Sequence, residues 1–98
     1  MKEDDAACDF AAAFEKALAC LPSGYLDGCY DGEPWNATLR RSADGRRVWL
    51  FARALKQTDI VSFNLYRTRR GGTLLKPCEM SSAKVVAFVI GFKPSVKC

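Results

Sequence analysis

Histidine is absent from the 98 residues. With it go the commonest general base near neutral pH and the commonest metal ligand. A nucleophilic role for Cys29 or Cys78 therefore has no imidazole to support it. No apolar run approaches the roughly 18 residues a membrane-crossing helix needs; the longest candidate is Val85–Phe92. Five cysteines are present (Cys8, Cys20, Cys29, Cys78, Cys98), but no Cys-x-x-Cys pair occurs and the count is odd. Neither a zinc site nor a regular disulfide framework is indicated. The opening Lys2-Glu3-Asp4-Asp5 lacks the order of a presequence, so reduced thiols in an intracellular chain are expected, with a structural disulfide as the alternative and no membrane partner. Asn36-Ala37-Thr38 fits a glycosylation sequon, which has no meaning under that expectation. Asp27, Asp31 and Glu33 do not have the spacing of an EF-hand loop. Arg70-Gly71-Gly72-Thr73 lacks the lysine and the following helix of a phosphate loop. An enzyme is not expected, nor a cofactor or a metal.

What is present is an uneven distribution of charge. The net charge of +4 conceals eight acids against two lysines in residues 1–34 and thirteen bases against three acids in residues 35–98. The first part is net −6 and the second net +10. Such asymmetry points to a polyanionic partner, although a dipolar surface on a small domain is the plainer reading. Most of the bases are arginine, which pairs phosphate bidentately and stacks on flat rings. The composition, 49% hydrophobic and 27% charged, is that of a globular chain, and its length suits one domain over residues 1–98.

Hydrophobic spacing orders the elements. Phe10, Phe14, Ala17 and Leu21 share one face of an acidic helix over residues 4–21, ended by Pro22 and Gly24. Ser23–Pro34, with two Asp-Gly steps, reads as turns around at most a short irregular strand. Residues 35–80 read as an antiparallel sheet of four strands: Trp35–Arg41, Arg46–Leu55, Ile60–Thr68 and Thr73–Met80. Asp44-Gly45 and Arg69-Arg70-Gly71-Gly72 supply hairpin turns, and Pro77 puts the last strand at an edge. Ser81 or Ser82 caps a final helix within residues 82–92, with Val85, Phe88, Val89 and Phe92 on one face. Its β-branched residues make a strand the rival reading. The expected fold class is α+β: an N-terminal helix, a four-stranded antiparallel meander and a C-terminal helix, with both helices on one sheet face.

That arrangement has a consequence for the uncovered face. In a half-covered sheet one side is apolar, and Val48, Leu50, Ala52, Val61, Phe63 and Leu65 supply it. The opposite side then shows Arg40, Arg47, Trp49, Phe51, Arg53, Asn64 and Tyr66, with Arg67, Arg69, Arg70 and Lys76 extending the basic track. Flat rings stack bases for about 1–3 kcal/mol each while guanidinium groups hold phosphate. Unstacked single strands suit such a surface better than a duplex. Burial of Trp49 and Phe51 in a core or interface is the alternative fate of those rings.

Asp59-Ile-Val-Ser-Phe-Asn-Leu-Tyr66, then Gly71-Gly72-Thr-Leu-Leu-Lys-Pro77, then Ala83-Lys-Val-Val-Ala-Phe-Val-Ile90 resembles the positive-cofactor-four (p15 coactivator) family over residues 46–91. The resemblance implies four antiparallel strands and a helix, a homodimer through the C-terminal helix, and single-stranded DNA bound on the sheet. Cys78-Glu79-Met80 stands where that family has Lys-Gly-Ile-Ser-Leu. The first helix followed by Leu39-Arg40-Arg41-Ser42-Ala43-Asp44-Gly45 is also similar to the Alu-domain proteins of the signal recognition particle, which implies folded RNA as ligand. The expected function is thus non-specific binding of single-stranded DNA or RNA, DNA favoured, with a role in transcription or DNA/RNA metabolism. The alternative is a protein-interaction module using the sheet edge or a helix face.

Overall fold

The computed structural model describes residues 12–97. Its elements are a helix α1 over residues 12–20, strands β1 (Gly24–Tyr30), β2 (Glu33–Arg41), β3 (Arg47–Ala54), β4 (Ile60–Arg67) and β5 (Thr73–Pro77), a helix α2 (Ser82–Gly91), and a two-residue strand β6 (Lys93–Pro94). The strands form one antiparallel sheet in the order β5-β4-β3-β2-β1-β6. The α+β class with both helices on one face is as expected. The sheet has six strands rather than four, and the expected helical turns before residue 12 lie outside the described residues.

The two Asp-Gly steps have different structural roles. Asp31 and Gly32 both take positive φ, 53° and 75°, the two-residue turn whose twist matches paired strands. Gly28 instead lies inside β1, opposite Trp35 and Pro94. A Cβ there would come 2.3 Å from the Lys93 carbonyl oxygen and 2.8 Å from the Phe92 ring. Glycine at this position lets β6 dock on the sheet edge, so the segment read as turns is a full strand. At the other edge β5 stops at Pro77, short of the expected Met80, and Cys78 donates its backbone N–H to the Ser62 carbonyl.

Alternation drives the packing. Apart from Glu33, Arg41 and Arg67 at strand ends, every second residue of β2, β3 and β4 is buried beneath the helices, including Trp35, Ala37, Leu39, Val48, Leu50, Ala52, Val61, Phe63 and Leu65. From α1 come Phe14 and Leu18, with Leu21 just after it, and from α2 Val85, Phe88 and Val89. Ser81 caps α2, its Oγ accepting from the Lys84 backbone N–H at 3.1 Å. Phe88 is the hub of the core: its ring centroid lies 5.0 Å from each of Tyr30, Trp35 and Phe92. The chain leaves β5 at one edge and returns as β6 at the other, so α2 crosses the covered face.

Two arginines on the helix side anchor α1. The Arg41 guanidinium donates to the Leu18 and Leu21 carbonyls and to Ser23 Oγ, each at 2.8 Å, which satisfies carbonyls left open at the helix end. Arg67, two residues beyond Leu65 on the same side, meets both Glu15 carboxylate oxygens at 2.8 and 3.0 Å. The hydrogen bond from Arg67 holds Glu15 below the usual carboxylate pKa. Cys29 is disulfide-bonded, whereas Cys20 and Cys78 are free and exposed. The disulfide, the alternative to reduced thiols, is thus the one found at Cys29. Pairing depends on how closely two cysteines approach in space, which their spacing in sequence did not show.

Phe88→Ala removes the hub of the core and is expected to cost about 3–5 kcal/mol, read from the midpoint of urea unfolding. The Glu15–Arg67 pair contributes its stability above the unfolded carboxylate pKa and loses it as pH falls through the lowered folded value. For a pair this exposed the contribution is at most about 1 kcal/mol. The Tm gap between the parent chain and Arg67→Met should therefore be widest near neutral pH and narrow on acidification.

Candidate functional site

The face opposite the helices carries Tyr25 and Asp27 from β1, Asn36, Thr38 and Arg40 from β2, and Arg47, Trp49, Phe51 and Arg53 from β3. From β4 come Ile60, Ser62, Asn64 and Tyr66, and from β5 Leu74 and Lys76. The register places these side chains in rows across the strands. One row runs Arg40–Trp49–Asn64–Lys76, the next Tyr25–Thr38–Phe51–Ser62, and flanking rows contain Arg53 with Ile60 and Arg47 with Tyr66. Asp27 is the one acid at an outward position of β1 to β5.

Seven of the expected contact residues thus share one surface: Arg40, Arg47, Trp49, Phe51, Arg53, Tyr66 and Lys76. Arg69 and Arg70 are exposed on the β4–β5 turn. That turn and the β2–β3 loop, with Arg46, lie at the same end of the meander, so the basic track continues past the sheet rim. Arg67 does not join it. Its position in β4 shares the parity of Val61, Phe63 and Leu65, which turns it to the helix side and into the Glu15 pair. Tyr25, Thr38, Ser62, Ile60 and Leu74 belong to the face although sequence reasoning did not select them. Alternation along β2 and β4 already puts Thr38 and Ser62 on this side, though small hydroxyls carry no signal for a contact role; Tyr25 is hidden when Ser23–Pro34 is read as turns.

Contacts within the open face already order part of it. The Arg47 guanidinium lies 4.6 Å from the Trp49 ring centroid and 5.7 Å from that of Tyr66, a cation–π arrangement that holds both rings. Ring–ring contacts among the described residues all lie in the covered core. Trp49 is half-buried and Phe51 is 48% exposed. Between them lies a shallow groove of about 430 Å³, lined by Thr38, Arg40, Trp49, Phe51, Ser62 and Asn64. At the β1 end the hydrogen bond to Asp27 raises the Tyr25 phenol above its ordinary pKa. No group of three or more metal-ligating side chains occurs among the described residues, and no described helix is long and apolar enough to cross a membrane.

The two tryptophans differ enough to report separately on core and open face. In a Trp35→Phe variant the remaining Trp49 emission should be quenched by acrylamide. Adding Arg47→Ala should raise the quenching constant, because the guanidinium no longer covers the indole. No protein-family model, no curated protein and no solved structure matches this chain, so the open face itself must support any functional reading.

Proposed function

We propose that this chain binds single-stranded nucleic acid, DNA in the first instance, along the open face of its sheet. The observation that carries the reading is the gathering of Trp49, Phe51 and Tyr66 with Arg40, Arg47, Arg53 and Lys76 on one uncovered surface with a single acid at its margin. Exposed rings next to guanidinium groups offer bases a stacking surface and phosphates a charge-assisted hydrogen bond. A sheet face is shallow enough to receive splayed bases, whereas a duplex keeps its bases stacked inside. Arg46, Arg69 and Arg70 at the rim extend the charge over additional phosphates.

A second reading rests on a specific observation. Ile60 and Leu74 on the same face are 42% and 47% exposed, and aliphatic side chains offer bases no π surface. They suit a protein partner that covers the face. Salt separates the two readings, since phosphate binding weakens by about 0.7 log units per contact for each tenfold rise in salt on single strands.

Anisotropy of a labelled 20-nucleotide single strand, DNA and RNA in parallel, is expected to show binding that falls steeply with salt. Trp49→Ala should weaken it about tenfold, within the range for one stacked base, and leave the salt slope unchanged. Arg53→Ala should reduce the slope by about the value of one phosphate contact. Absence of binding at low salt would falsify the nucleic-acid reading and leave the protein partner.

A further inference from the structure

Resting on that reading, we infer that the groove between Trp49 and Phe51 is a slot for a single base, and that it prefers a purine. The two rings are two residues apart on the same face of β3, a spacing of about 6.7 Å along a strand. That is twice the ~3.4 Å between successive stacked bases, so one flat base fits between them. Arg47 occupies one face of the Trp49 indole. The indole face left for a base is the one bordering the groove.

The slot's walls are set by register. Asn64 is the cross-strand neighbour of Trp49 and Ser62 that of Phe51 on one side; Arg40 and Thr38 hold the same relation on the other. Among the described residues the side chains of Thr38, Ser62 and Asn64 have no hydrogen-bond partner, so their polar atoms face the groove unengaged. A carboxamide presents one acceptor and an adjacent donor. An unpaired base of any identity presents an adjacent donor and acceptor on its free edge, so this contact holds a base in the slot without choosing among the four. Arg40, across the slot from Asn64, is placed to hold a phosphate of the chain that carries the base. Sandwiching between rings favours the larger purine surface. Non-specific affinity then comes from the basic track and a local base preference from one slot.

The test uses the whole chain and labelled octamers dA8, dC8 and dT8 at fixed low salt. Tighter binding of dA8 than of dC8 or dT8 by about tenfold is expected, within the worth of one stacked base. Phe51→Ala, and Phe51→Leu, which keeps an apolar side chain without a ring face, should both bring the three octamers within twofold of one another. The salt slope should be kept, with thermal melts confirming that each variant folds. Equal binding of the three octamers by the parent chain overturns the slot, as does a dA8 preference that survives both substitutions; in either case single-strand binding stands. No binding of any octamer overturns the slot together with the reading it rests on.

Discussion

Both helices cover the same side of the sheet, and the exposed surface of the molecule follows from that constraint. Strand side chains alternate between faces with a period of two. Once α1 and α2 have drawn Leu39, Leu50, Phe63 and Leu65 beneath them, their neighbours Arg40, Trp49, Phe51, Asn64 and Tyr66 must point the other way. A one-residue slip in register would exchange the two sets. It would bury several arginines without partners, which is far more costly than exposing a ring. The composition of the open face is therefore as tightly specified as the core.

The arginines show how much that division matters. Arg40 and Arg41 are adjacent, yet one projects into solvent and the other donates three hydrogen bonds at the end of α1. Arg67 and Arg47 lie close in the sheet on opposite faces, one paired with Glu15 and the other stacked between Trp49 and Tyr66. The acidic first part of the chain thus meets the basic second part at Glu15. There the pair joins helix to sheet and is not a free charge on either surface. The groove on the opposite face keeps its cations without carboxylate partners except at the Asp27 margin.

Segments whose register is set by nearest neighbours were legible in the sequence. Trp35–Arg41, Ile60–Thr68 and the capped final helix were placed within a residue or two of their observed ends, because alternation, turn residues and the serine cap act locally. β1 was misread because Asp27-Gly28 and Asp31-Gly32 look alike in sequence. Only Asp31-Gly32 forms a turn; Gly28 is needed because Phe92 and Lys93, some 65 residues later, approach its Cα. β6 was missed because two residues carry no periodic signal, and they form a strand only when β1 offers them a bare edge.

The sequence by itself determined the fold class, the apolar side of the central strands, and the fact that aromatics alternate with arginines along β3. Each of those depends on spacing of a few residues along the chain. Tertiary structure alone decided which arginines face solvent, that Arg47 stacks on Trp49, that Cys29 is disulfide-bonded, and that Thr38, Ser62 and Asn64 converge on one groove. Those outcomes depend on which strands become neighbours and in what register. Contacts between distant residues are selected by the joint packing of helices and sheet, and no local pattern encodes them.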